Sequence, residues 1–365
     1  MLRWLARRVA VVALVTVVLA VAALWIEHTI ALELPRPTGP LPIGRTSVVW
    51  ADGLDGWFWY PAAADAPAAT YLPEPVRAKW QEARPGFINF LTRDLAKVRG
   101  HAAADVSLST RESSYPIVIL RGGGSSSSLN YSAIAEDLAS HGYIVVGLDI
   151  ASTENPEQCD GRPDEDRCAI TLMTPLLSGL GRAIDGLQRL AADDPRFRGR
   201  LDFSRLGVFG HSFGGAQAAE FCSQDTRCKA GIDIDGRLFG NVIDKGIPVP
   251  FMILLSDHGA EVDEVSRRIL SRIQATYDRQ PRDTRVRATI RGAHHFTFSD
   301  DGALLKSRLF RWLLRLFGRL GIDGRRQLEV TRYAVRTFFD RHLRDTSGRP
   351  ITFATDRFPE LVLLR

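Results

Sequence analysis

Apolar residues follow three rhythms along this chain. From Val9 to Ile26 the run is continuous and uncharged, with Arg3, Arg7 and Arg8 ahead of it. Eighteen residues rise about 27 Å as a helix, the short end of what spans a bilayer. From Leu34 to Pro42 prolines break the pattern and predict a stiff spacer. Residues 45–64 then offer two short β-rich runs around a Gly/Asp turn, the antiparallel opening of a sheet. Residues 71–100 are irregular, with helix-like apolar spacing only over 86–98.

Past residue 114 the third rhythm begins. Short apolar runs at 115–120, 143–150, 204–210, 229–235, 250–256 and 285–291 read as strands. Helical spacing fills 131–142, 176–190, 211–222 and 261–277, and a last amphipathic stretch, 324–345, reads as a cover helix. Continuous apolar strands alternating with helices predict an α/β fold, a mostly parallel central sheet covered on both faces. The predicted organisation is a signal anchor or signal peptide at 1–26, a Pro-rich linker at 27–44, an α/β domain at 45–345 and a C-terminal tail at 346–365.

Charge and cysteines add a location. The net charge of +5 comes from arginines scattered among acidic residues, with no basic tail and no zinc-finger spacing, which argues against a nucleic-acid partner. The positive flank before Val9 puts the N-terminus on the cytoplasmic side and exports the remainder. The protein is then inner-membrane-anchored and faces the periplasm or extracytoplasmic side, or is secreted if cleavage follows the small residues Ala20–Ala22. Four cysteines form two local pairs, Cys159 with Cys168 and Cys222 with Cys228, suited to disulfides in an oxidising compartment, although three connectivities are open. There is no C-x-x-C spacing to suggest a zinc or redox centre.

The sharpest chemical signal is Gly210-His211-Ser212-Phe213-Gly214, followed by Gly215. It fits G-x-S-x-G and lies between a predicted strand and a predicted helix, where a tight turn lifts a serine hydroxyl above the sheet. The glycines match neither a dinucleotide fingerprint nor a P-loop. The Phe213 amide at the helix start is a candidate oxyanion donor. A second donor is expected in the loop Arg121-Gly122-Gly123-Gly124, with Gly123 the choice because a missing side chain lets an amide approach the substrate. A serine needs an imidazole, and the imidazole needs a carboxylate. His294 and His295 both follow the last predicted strand. Asp233, Asp235 and Asp257 all lie at strand ends, and period-two alternation sends Asp233 and Asp235 to one side without separating them. His28, His101, His141, His258 and His342 fall in regions that suit a surface or packing role, and His211 beside the nucleophile is a pocket-lining candidate.

With these residues assembled, the chain resembles the platelet-activating-factor acetylhydrolase family of α/β-hydrolases and its bacterial esterase and lipase relatives. The likeness runs over about three quarters of the chain, through 115–120, 129–149, 207–222, 231–240 and 292–300. It implies an α/β-hydrolase fold, no cofactor, and a triad of Ser212, Asp235 and His295 with oxyanion amides at Gly123 and Phe213. It also implies a serine carboxylic-ester hydrolase cleaving short-chain acyl or phospholipid-like esters. One departure stands out: Arg121-Gly122 replaces the usual His-Gly at the oxyanion strand end, and could reshape that loop or attract an anionic part of the substrate. A broad carboxylesterase, lipase or polyester hydrolase is the alternative, although the long C-terminal region fits polyester hydrolases less well. An amidase, a peptidase or a silent envelope protein ranks below both.

Residues 303–319 carry a further pattern. Leu304, Leu305, Arg308, Leu309, Trp312, Leu313, Leu316 and Phe317 recur at helical spacing, with Lys306, Arg311, Arg315 and Arg319 around them. Such a helix either docks on the sheet or acyl pocket or lies in an anionic membrane interface, and docking is favoured. Beyond a small ester or lipid-like substrate and the membrane, the sequence implies no partner.

Overall fold

The continuous apolar runs become strands buried on both faces. The computed structural model describes residues 2–364 apart from 30, 50–54, 83–94, 125, 150–155, 160, 161, 163, 260–262, 305–310, 313, 314, 317–320, 346 and 348. Among the described residues one sheet holds β1 (Leu32–Glu33), β2 (Ile43–Val49), β3 (Asp55–Pro61), β4 (Ala68–Thr70), β5 (Val98–Ala104), β6 (Tyr115–Arg121), β7 (Ile144–Asp149), β8 (Leu201–His211), β9 (Ala230–Ile234), β10 (Phe251–Leu255), β11 (Arg285–Ile290) and β12 (Leu361–Leu364). Their order is β1-β5-β2-β3-β7-β6-β8-β9-β10-β11-β12, with β4 on β5. From β7 to β11 every neighbouring pair is parallel. The hairpin of β2 and β3 is antiparallel, as its sequence predicts, although its turn lies outside the described residues.

Alternation along β6, β7, β8 and β10 feeds two cores, and β9 adds to the first alone. Val118, Leu120, Phe209, Ile232, Ile234, Met252 and Leu254 face one side. Ile117, Ile119, Val146, Val208, Phe251, Ile253 and Leu255 face the other. The first core is closed by α2 (Ser132–Ser140) and α6 (Gly324–Phe339), the second by α3 (Glu165–Asp193), α4 (Phe213–Gln224) and α5 (Glu264–Arg279). Each large aliphatic side chain buried this way contributes about 1.5–3 kcal/mol. Two cores need two apolar faces per strand, which explains why these strands read as unbroken hydrophobic runs.

Several boundaries differ from the sequence reading. The stretch read as a spacer docks onto the body: Leu34 is fully buried, and Arg332 donates to the carbonyls of Pro35 and Arg36. The stretch set apart as a tail contributes β12, which pairs antiparallel with β11, and buries Phe353 and Phe358. The helix expected over 176–190 starts earlier and runs through Pro175. Most of the helical spacing at 86–98 lies outside the described residues, and Val98 opens β5.

At the N-terminus α1 (Leu2–Thr29) contains Ala6–Glu27, a 22-residue stretch of mean hydropathy 2.9 with none of it buried in the protein. It is long and apolar enough to cross a membrane, and it is a signal- or anchor-like element by the same measure. Both predicted cysteine pairs are disulfides, Cys159–Cys168 and Cys222–Cys228. The amphipathic segment 303–319 lies largely outside the described residues. Within it Trp312 and Leu316 are exposed, and Arg311 and Arg315 each approach Asp323 to 3.6 Å.

Candidate active site

Ser212 sits where β8 ends and α4 begins, with φ +56°. A non-glycine residue held there stores about 1–3 kcal/mol of strain, sustained by the packing on both sides. The flanking glycines are required by contact. A Cβ at Gly210 would lie 2.2 Å from the Gly214 carbonyl, and one at Gly214 would lie 2.4 Å from the Gly122 carbonyl oxygen. Ser212 stands at the N-terminal boundary of α4 without spending its hydroxyl on the helix, so Oγ remains available.

That hydroxyl meets His295 Nε2 at 3.1 Å, and His295 Nδ1 meets Asp235 Oδ2 at 2.7 Å. The carboxylate accepts from Nδ1–H, which leaves Nε2 as the acceptor for the serine proton. Asp235 also accepts the Ser256 amide at 2.7 Å, and like Ser212 it has a positive φ, +54°. Leaving the strand in that conformation turns Asp235 away from the side that simple alternation predicts.

The three candidate acids have separate environments. Burial works to raise the Asp235 carboxyl, but the hydrogen bond and charge of His295 and the Ser256 contacts outweigh it and hold the group below its ordinary value. Asp233 lies fully buried beneath the turn, where Oδ1 accepts the Gly236 amide at 2.8 Å and would sit 1.9 Å from a Cβ at Gly215. Burial drives its carboxyl well above the usual range, Asp235 adds to this, and the Gly236 amide opposes it only in part. Asp257 does not reach the imidazole as a hydrogen-bond partner. Its oxygens accept the amides of Gly259 (3.0 Å) and Gly292 (2.7 Å).

The loop bearing His295 is fastened along its length. Gln327, fully buried in α6, accepts the His294 amide (3.2 Å) and donates to the His294 carbonyl (3.1 Å). Asp300 accepts the first amides of α2, Ser132 at 2.9 Å and Ala133 at 3.1 Å, and the Tyr71 hydroxyl at 3.0 Å. His294 is therefore held by its backbone beside the site, and its ring lies 5.7 Å from that of Phe296.

Three residues stand in contacts that the sequence left open. The Gly123 amide donates to Tyr131 Oη at 3.1 Å, so it is engaged within the protein. Arg121 does not face a substrate: its buried guanidinium donates to Gln217 (3.0 Å) and to the Leu148 carbonyl, and burial lowers it to about 10 against the pull of Asp149. His258, read as a surface or packing residue, comes within 4.0 Å of Asp235. The signal for it was its position three residues past the end of β10. His101 and His141 do serve packing, bonded to the Leu34 carbonyl and the Thr38 hydroxyl, each at 3.0 Å. Phe213 packs with Ala169, Met173, Leu176, Ala216 and Phe239, an apolar wall contributed partly by the first half of α3.

Comparison with known proteins agrees with this architecture. Residues 62–320 match the model of a family described as PET hydrolase-like. Platelet-activating factor acetylhydrolase of Cavia porcellus is 24% identical over 352 residues, covering 85% of this chain and 78% of the relative. Cutinase 1 of Thermobifida cellulosilytica is 24% identical over 217 residues, covering 59% of this chain and 74% of the cutinase. Among solved structures, a ferulic acid esterase from Streptomyces cinnamoneus superposes with a TM-score of 0.70 at 25% identity, covering 92% of this chain and 100% of that one.

Proposed function

Because the chain belongs to the PET hydrolase-like family, within the esterase and lipase branch of the α/β-hydrolases, we propose that it is a broad-specificity carboxylesterase working through Ser212, His295 and Asp235. Serine-type carboxylic-ester hydrolysis is the shared chemistry of its relatives, and a small ester or lipid-type substrate suits it. The observation that carries the residue assignment is the unbroken line from Ser212 Oγ through His295 to Asp235, at 3.1 and 2.7 Å.

In this reading His295 takes the proton as Ser212 Oγ attacks the ester carbonyl, and the ionised Asp235 steadies the imidazolium. The Phe213 amide, first in α4, receives the oxyanion, aided by the helix dipole. The second donor comes from the loop after β6, whose Gly123 stands beside the nucleophile: a Cβ there would lie 2.9 Å from the Ser212 Cβ. His295 then protonates the departing alcohol; in the second step it takes a proton from water as the water oxygen attacks the acyl-enzyme, and returns that proton to Ser212 Oγ as the acid leaves. The helix α1 serves as the membrane anchor or export signal, and residues from the docked spacer to β12 act as one hydrolase body.

The polyester-hydrolase likeness, ranked second on the sequence, is the one the matched family favours. An acetylhydrolase-like preference for phospholipid esters is the second reading, favoured by the longer coverage of those relatives. A fluorophosphonate probe tests the nucleophile: wild type is expected to label, and Ser212→Ala to lose labelling while keeping its melting temperature. Labelling that persists in Ser212→Ala would remove the assignment. A kinetic panel of acetyl to long-chain esters, hydroxycinnamate esters, polyester oligomers and short-acyl phospholipids separates the substrate readings, with comparable kcat/KM across the simple esters expected.

A further inference from the structure

The esterase reading leaves two buried polar side chains beside the triad without a task. Tyr131 is 1% exposed and His211 5%. They lie in one hydrogen-bonded chain: the Gly123 amide to Tyr131 Oη at 3.1 Å, Tyr131 Oη to His211 Nδ1 at 2.8 Å, and His211 Nε2 to the backbone carbonyl of His295 at 3.0 Å. The chemistry of the groups fixes every proton. A carbonyl only accepts, so Nε2 of His211 carries hydrogen. In a neutral imidazole Nδ1 is then the acceptor, so the tyrosine hydroxyl donates to it, and the phenol oxygen takes the Gly123 N–H on a free lone pair.

We propose that Tyr131 and His211 are positioning residues, a hydrogen-bonded strut that fixes the loop after β6 against the backbone of the catalytic base. The two loops it joins carry the oxyanion amides and the imidazole, and those groups must keep one separation while charge moves between them. The proposal rests on the triad assignment above.

The residue types suit the task. Burial pushes His211 down to about 3, with repulsion from a charged His295 the next cause and the attraction of Asp235 too small to offset them. The ring therefore stays neutral when His295, with ring centroids 4.6 Å apart, takes the serine proton. A charged neighbour there would oppose the imidazolium that catalysis requires. Tyr131 supplies both an acceptor and a donor on one atom, so removing it orphans a group at each end. For that reason the two residues are expected to fail as a unit.

Five proteins test this: wild type, Tyr131→Phe, His211→Leu, His211→Gln and the Tyr131→Phe/His211→Leu double variant. Phenylalanine keeps the ring and removes the hydroxyl, leucine keeps bulk without a donor, and glutamine returns an N–H near the position of Nε2. Tyr131→Phe and His211→Leu are each expected to lower kcat about tenfold with KM changed less than about twofold, because ground-state binding does not use the strut. The double variant should lose no more than about twice what the poorer single loses, and His211→Gln should recover to within about threefold of wild type. Losses that multiply, glutamine as poor as leucine, or a faster Tyr131→Phe would each overturn the strut. The last would mean that Gly123 must be released to work. Imidazole ¹⁵N shifts give a readout that needs no activity: His211 should be neutral and protonated on Nε2 in wild type, and an Nδ1-protonated ring ends the proposal. Absence of probe labelling in wild type would instead strike the esterase assignment and leave the tautomer measurement standing.

Discussion

At the carboxyl end of β9, Asp235 leaves the strand with a positive φ and buries its carboxylate between the His295 ring and the Ser256 amide. One strand over, past β10, Asp257 is exposed and gives both oxygens to backbone amides, one in its own turn and one at Gly292. The two ends read alike in the sequence, an apolar run closed by an acid. What separates them is the partner. An amide asks only for an acceptor and fixes a loop, whereas an imidazole that changes charge asks for a carboxylate that stays ionised in a protected place. Asp257 still bears on His295, because its bond to Gly292 holds the root of the loop three residues before it.

Replacement by asparagine puts the contrast to its hardest test. Asp235→Asn keeps the shape and removes the charge, so His295 loses both its tautomer and its counter-ion, and kcat is expected to fall roughly 10³–10⁴-fold with folding intact. Asp257→Asn exchanges one acceptor for a donor facing an amide. There the expected loss is below about tenfold in kcat, with about 0.5–1.5 kcal/mol of stability, the worth of an ordinary exposed hydrogen bond. Steady-state kinetics and thermal melts of both variants decide the matter, and a larger kcat loss at position 257 would exchange the roles.

The same contrast explains what could be read in advance. The strands β6, β7, β8 and β10 were legible because each packs two cores and so carries largely unbroken apolar character, whereas β9 and β11 send apolar side chains to the first core alone. Strands β1, β5 and β12 were not: Val98–Ala104 holds a glycine, a histidine and three alanines, and pairs through its backbone at the sheet margin. Ser212 was legible from its glycines, since steric demand writes itself locally. Choosing Asp235 over Asp233 and Asp257 took the family resemblance, because alternation does not carry through a residue in a left-handed conformation. Tyr131, Gln327 and Asp300 were invisible as supports of the site, because each acts through a contact between segments remote in sequence.

The smallest effect concerns the neighbour two residues before the acid. Asp233 is as buried as Asp235 but lacks an imidazole, and burial above all, with the charge of Asp235, holds its carboxyl well above the ordinary range. In the unfolded chain it ionises near pH 4. Between that pH and the raised folded value the native state keeps a proton that the unfolded state has released, so stability falls as pH rises through the window. Asparagine is neutral throughout and keeps an oxygen for the Gly236 amide. Asp233→Asn should therefore gain melting temperature over wild type progressively from about pH 4 upward and gain nothing below it. Asp235 titrates in both proteins and cancels from the difference, which isolates the one carboxyl. Melts of the pair from about pH 3 to about pH 8 supply the measurement. A difference that stays flat with pH would mean that Asp233 is ionised in the fold, and two buried carboxylates charged side by side would leave the chemistry of the β9 end without its present explanation.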